Sequence, residues 1–238
     1  MEITIDFAAV RSVAAEESQL TQHDIAALGP LPAYQRSLLR HDQRLADAAD
    51  AHTLACKSGC SWCCHFSVDV RPVEAFNILD FLHSNFTAAQ IAALRVEIEA
   101  NAQLLSQLDE LQRMQQNLPC PFLVEHRCSI YAARPQTCRN YHATDAAGCQ
   151  QSFEQPDNFD IAPEYAPLVY QLGGAHVEAF SRAMAAAGYD VTAFELNTAL
   201  AAALNDPAAR QRFDARLPSF VGLDGTDVPY ELTGMDQD

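Results

Sequence analysis

The sequence predicts a mainly α-helical fold, a bundle-like scaffold with a cysteine-rich loop region and at most a small β-hairpin. Three observations carry this expectation. Apolar residues recur at helical spacing through several long segments, strand-like alternation is short and rare, and all eight cysteines fall within residues 56–149, in turn-rich stretches between those segments.

Taken in order, residues 1–30 are mixed, end in Gly29-Pro30, and read as a loosely attached lead-in. A helical pattern runs from Pro32 through Tyr34, Leu38, Leu39 and Leu45 to about Leu54, with Pro32 suited to a first turn. The first cysteine loop follows, and Gly59 lets its backbone wrap a site. Val68 and Val70 alternate with polar residues, predicting a short strand before Pro72 opens a helix through Phe76, Ile78, Leu79 and Leu82. Thr87 and Gln90 form a capping-box pattern ahead of a buried stripe of Ile91, Leu94, Ile98, Leu105 and Leu108, reaching about Met114. Residues 122–124 and 127–130 are expected to pair around Glu125-His126, and Pro135 to start one helical turn carrying Cys138. Alanine-rich helices are expected over 163–187, broken at Gly173-Gly174, and over 190–204, with a short one over 207–215. The expected organisation is a lead-in (1–30), a helical cysteine-cluster domain (31–155), C-terminal helices packed on it (156–216) and an acidic, flexible tail (217–238).

Composition narrows the function classes. No run of eighteen apolar residues exists, so no span of a bilayer is expected. Acidic residues at the start, where a signal peptide would be basic, predict a cytoplasmic location. A net charge of −16 argues against nucleic acid, whose affinity is largely cationic. Segments 56–72 (Lys57 and Arg71 against Asp69) and 120–149 (Arg127, Arg134 and Arg139 against Glu125 and Asp145) are each net positive by one. Those are the cysteine segments, where thiolates need charge compensation.

The cysteines carry the chemistry. Cys56, Cys60, Cys63 and Cys64 lie in C-K-S-G-C-S-W-C-C, and Cys120, Cys128, Cys138 and Cys149 follow. Disulfides suit neither a reducing compartment nor the adjacent pair Cys63-Cys64. Metal ligation explains number, spacing and confinement together. Zinc takes four soft or imidazole ligands, often as two close pairs, whereas an iron–sulfur cluster takes several thiolates from one short loop and another from afar. The C-x3-C-x2-C-C loop, Pro121 after Cys120, and the aromatic residues Trp62, Phe66, Phe122, Tyr131 and Tyr141 favour an iron–sulfur cluster, of the 4Fe–4S kind, with zinc as the alternative. Eight thiols suffice for two four-thiolate sites, or for one cluster with structural thiols left over. Adjacent cysteines chelate one small ion only with strain, so Cys63 and Cys64 are expected to serve different roles or metals. His65, His126 and His142 lie near cysteines, in positions more typical of supporting donors than of ligands. Arg134, Arg139 and Tyr141 are candidates around the bound group or a substrate, while Arg127, Arg134 and Arg139 have ion pairing with local carboxylates as the plain alternative. Cys56, Cys60 and Cys63 also match the spacing of radical enzymes that cleave S-adenosylmethionine, but the repeated strand–helix pattern of their barrel is missing.

With their flanking residues, these motifs resemble the YkgJ-type cysteine-cluster family, described as zinc- or iron-chelating. The resemblance rests on residues 56–64, Glu74, C-P-F-L at 120–123, C-S-I-Y-A-A-R-P-Q-T-C-R-N-Y at 128–141, and Cys149. It implies a bound metal centre with all eight cysteines as candidate ligands, and no particular reaction. A similar cluster is associated with flagellin lysine N-methylases, but no S-adenosylmethionine site is recognisable in the flanking helices. Three readings follow: a redox or binding metalloprotein, a modifying enzyme with an open metal position, or an interaction module whose acidic surface binds a protein partner.

Overall fold

The computed structural model describes residues 5–226. It is mainly α, with two small antiparallel pairs of strands. Helix α1 (Phe7–Leu28) is N-capped by Asp6, whose carboxylate accepts from Ala8 N–H at 2.9 Å and Ala9 N–H at 3.3 Å. Gly29 ends it at φ +85°, a conformation that favours glycine, and Pro30 immediately opens α2 (Pro30–Asp47). The expected lead-in is therefore corrected: residues 7–28 form a long helix packed on α2 and on α8 (Pro167–Ala186). Little in the segment's own pattern signals this helix, because α1 buries polar Glu17, Thr21 and Asp24 beside only Val10 and Ile25.

Those polar groups meet partners on the neighbouring helices. Glu17 accepts from Ser37 Oγ at 2.8 Å, from Arg40 at 2.7 and 2.8 Å, and from Arg44 at 2.6 Å. Ser37 Oγ also lies 2.8 Å from His176 Nε2, and Arg44 Nη1 lies 2.6 Å from His176 Nδ1. Since Arg44 must donate, His176 is neutral with its proton on Nε2. The His176 ring stands edge-on to His41, whose Nε2 lies 2.6 Å from Asn140 Oδ1. Gly173 does not break α8: a Cβ there would collide with Asn140 Oδ1, so glycine allows the close approach.

Helices α3 (Pro72–Asn85), α4 (Ala88–Leu105) and α5 (Glu110–Met114) follow, α4 with the expected Thr87–Gln90 capping box. The stripe expected to reach Met114 is interrupted at Ser106, and Asp109 caps α5 afresh through Gln112 N–H at 2.8 Å. Strand β1 (Asp69–Val70) pairs with β4 (Phe194–Glu195), Val70 opposite Phe194, ahead of α9 (Leu196–Asn205) and α10 (Ala208–Asp214). Strands β2 (Leu123–Val124) and β3 (Arg127–Cys128) form the expected hairpin, with Glu125 and His126 at φ +48° and +61°. Two short helices, α6 (Gln136–Asn140) and α7 (Ala146–Glu154), carry the last two cysteines.

The core is built around Tyr34, Phe76, Ile78, Phe180, Leu200 and Phe213. Of the expected flexible tail, residues 217–226 are docked: Phe220 is 4 % exposed, with ring centroids 5.8 Å from Phe76 and 5.2 Å from Phe194. Ser219 N–H donates to Asp190 at 2.7 Å, and Ala193 bridges Thr226. The rest of the tail expectation lies outside the described residues. Among the described residues, no helix is long and apolar enough to cross a membrane.

Candidate metal centre

Four segments bring the cysteines together. The first leaves α2 through a 3-10 turn (Ala51–Thr53) and is pinned where Ala55 N–H donates to Ala143 O at 2.8 Å. Ala143 N–H in turn donates to Cys56 Sγ at 3.4 Å. Gly59, at φ +90°, lets Cys60 N–H close back on Lys57 O at 3.0 Å. Cys63 and Cys64 then occupy a second 3-10 turn (Trp62–His65). The second segment joins there, Cys120 N–H donating to Cys64 O at 2.8 Å and Leu123 N–H to Cys120 O at 2.9 Å. The hairpin sets Cys128 opposite Leu123.

Helix α6 supplies Cys138, and a buried carboxylate seats it. Glu74, 1 % exposed, accepts from Gln136 N–H at 2.9 Å, Arg71 N–H at 2.8 Å and Tyr34 O–H at 3.2 Å. Thr137 O–H adds a bond to Asp69 O at 3.1 Å. Sequence reasoning quoted Glu74 without giving it a role. The available signal was a glutamate two residues after Pro72, an N-terminal helix position, although arginine in the cap position hid the box.

Helix α7 supplies Cys149, which is 6 % exposed. The Ala-Ala-Gly expected to be flexible beside it is helical and capped by Asp145. Phe153 of α7 packs on Trp62 at 5.3 Å and on His65 at 4.8 Å, fastening α7 to the cysteine turn.

The thiols feel one another. Cys63 donates to Cys64; that contact and burial push the Cys63 thiol far up, while Cys64 is lowered to about 7, helped by Arg134. Burial pushes Cys120 up to about 12, and Cys128 and Cys64 add to the rise. Cys138 is raised further by burial and by Cys120, Cys128 and Cys64, and Cys128 rises by burial with Cys64 nearby. Cys149 rises to about 11 through burial, Cys56 and Cys60. Neutral thiols crowded in this way are relieved by a cation, which lowers the cost of gathering their negative charge.

The candidate residues around the thiols divide. Arg134 lies 4.0 Å over the Tyr131 ring and eases the charge of Cys64, Cys128 and Cys138. Arg139 is spent on the scaffold: it pairs with Asp42 and donates to Ala132 O at 2.6 Å and Arg134 O at 3.1 Å. Tyr141 is 39 % exposed beside Phe66, its hydroxyl raised to about 12 by burial and by Cys149, Cys63 and Cys56. His65 Nδ1 lies 3.1 Å from Ser61 O, and His126 Nδ1 lies 3.1 Å from Ser61 Oγ. Burial, Arg134 and His41 hold His142 near 4, and its buried Nε2 has no partner among the described residues. Of the expected aromatic shell, Trp62 and Phe66 lie against the cysteine turn, Phe122 belongs to the main core and Tyr131 is exposed.

All eight thiols are free of disulfides. Among the described residues, no three His, Cys, Asp or Glu side chains are already arranged to hold one ion. The donor set nevertheless fits a thiophilic metal: soft sulfurs on short loops with a guanidinium nearby, on a mainly helical scaffold.

Such an arrangement defines a cysteine-cluster protein of the metal-binding class. Residues 55–164, a little under half of the chain, match the model of the CxxCxxCC family, described as a "putative zinc- or iron-chelating domain". Comparison with curated proteins and with solved structures gives no match.

Proposed function

We propose that the cysteine cluster holds an iron–sulfur cluster of the 4Fe–4S kind and that the protein serves a redox or binding role in the cytoplasm. What supports it is eight free thiols carried on four segments that are tied to one another, Cys120 N–H on Cys64 O at 2.8 Å and Ala143 N–H on Cys56 Sγ at 3.4 Å. A bound cluster would supply one-electron exchange. The chain's own residues would hold it: cysteines as ligands, Ala143 N–H donating to Cys56 Sγ, and Arg134 offsetting negative charge. Zinc is the second reading, and the description of the matching family names both metals.

Anaerobic purification with elemental and sulfide analysis tests this. Iron and acid-labile sulfide in similar amounts, with broad visible absorption, are expected. A colourless protein with stoichiometric zinc supports the second reading. A chain with neither metal overturns both.

A further inference from the structure

We infer that the junction of β1 and α6 carries a docking surface for an acidic protein partner, made by Arg71, Arg113 and Arg134 around the exposed side chains of Leu111, Met114 and Tyr131. This surface goes beyond the metal-binding reading and does not depend on it.

Arginines of the helical scaffold are taken up by neighbouring carboxylates: Arg40 and Arg44 by Glu17, Arg95 by Glu99, Arg182 by Glu178 and Arg212 by Asp206. Arg71, Arg113 and Arg134 differ. None of the three makes an ion pair among the described residues, and the Nε of each is buried without a hydrogen-bond partner among them. Asp69 feels Arg113, Glu110 and Arg71, yet it pairs with neither arginine. Partly buried guanidinium groups ordinarily have their donors met. Three unmet ones on adjoining elements call for acceptors from outside the chain.

The fold brings them to one place. Glu74 accepts Arg71 N–H at 2.8 Å and Gln136 N–H at 2.9 Å, so the entry of α3 lies against the start of α6, two residues beyond Arg134. Thr137 O–H on Asp69 O at 3.1 Å repeats the tie. Arg113 of α5 lines one narrow cleft with Phe66, Val68 and Cys138, which brings α5 to the same junction. Apolar anchors accompany the charges. Leu111 and Met114 flank Arg113, Tyr131 lies 4.0 Å beneath the Arg134 guanidinium, and each of these three is more than half exposed. Arginine, methionine and aromatic side chains gathered in this way match the composition of protein interfaces.

Charge selects the partner. A surface bearing carboxylates around an apolar centre gains charge-assisted, bidentate bonds to the free guanidinium groups. The rest of the chain, at a net charge of −16, disfavours wrong registers and repels a long polyanion such as nucleic acid. A partner seated there stands beside Cys138, at the edge of the cysteine cluster.

The test uses the full chain as purified and a fluorescent amphipathic peptide with a leucine stripe bordered by glutamates, read by anisotropy. The peptide should bind and protect residues 66–71, 110–114 and 131–137 from hydrogen exchange. Its affinity should fall roughly tenfold between about 50 and 200 mM salt. R71E/R113E should weaken it by roughly tenfold or more, with metal content and circular dichroism unchanged, and should instead bind the lysine counterpart of the peptide. R95E/R182E, an equal change in net charge on α4 and α8, should bind like the parent. If R71E/R113E unfolds, R113Q alone carries the test, with a loss of roughly threefold. Absence of binding, protection elsewhere, or undiminished binding by a folded variant overturns the surface. Equal affinity for an oligodeoxynucleotide overturns the choice of a protein partner, and self-association abolished in R71E/R113E gives the face to a second copy instead. A chain that holds no metal yet binds the peptide as described defeats the metal-binding reading alone.

Discussion

Replacing Glu74 with alanine tests how the scaffold seats the cluster. Its carboxylate joins three elements, accepting from Tyr34 of α2, Arg71 ahead of α3 and Gln136 at the start of α6. The two backbone bonds to a buried carboxylate are worth ~1.5 kcal/mol each, and the longer tyrosine bond ~1 kcal/mol. Their loss, with three donors left facing a cavity, should destabilise the metal-free chain by about 4 kcal/mol. At ~2–4 °C per kcal/mol for a chain of this size, the thermal midpoint should fall by roughly 8–16 °C. Because α6 carries Cys138, zinc affinity should also fall by roughly ten- to a hundredfold. Glu74→Gln should lose about half as much stability, since its amide N–H2 would oppose Arg71 N–H while its oxygen still serves Gln136. Urea denaturation of the metal-free variants, paired with zinc competition against a chelator, measures both quantities. A loss below ~1 kcal/mol in the alanine variant would refute the reasoning, as would unchanged affinity in a destabilised protein.

Further predictions concern the elements around the cluster. Burial alone would raise the Glu17 carboxyl, but Arg40, His176 and Arg44 hold it at about 2 instead of 4.5. That depression contributes ~3 kcal/mol, fully present above pH 4.5 and lost as pH falls through about 2, so Glu17→Gln should flatten this acid limb in urea denaturation. His176, held well below 6.5 chiefly by burial, steepens the loss: the unfolded chain binds its proton first, so stability falls as pH drops below 6.5. An acid limb unchanged in Glu17→Gln contradicts the network. Gly173→Ala should cost ~1–3 kcal/mol, because the new methyl meets Asn140 Oδ1 and Leu45; an unshifted thermal midpoint counts against the close packing. Phe220→Ala should cost ~3–4 kcal/mol while leaving zinc stoichiometry intact, and a neutral result shows that this segment does not hold the core.

Much of this architecture was legible where local chemistry decides. The Thr87–Gln90 cap, the turn at Glu125-His126 and Pro72 at a helix start all act through neighbours in sequence, and each appears as expected. What stayed hidden depends on distant partners. Helix α1 looks poorly amphipathic because its buried face is partly charged, and only Arg40, Arg44 and His176 from other helices make that face stable. Gly173 looked like a break because nothing in its own segment reveals Asn140 against it. At the cluster, sequence density pointed to the cysteines, whereas the seating of α6 by Glu74 and the packing of Phe153 on Trp62 required the fold.

The central claim is that sulfur from the cysteine loops is what grips a metal. X-ray absorption at the metal edge of the loaded, full-length chain addresses it directly. A first shell of about four sulfurs per metal at ~2.3 Å is predicted. A shell of nitrogen and oxygen at about 2.0–2.1 Å would contradict it.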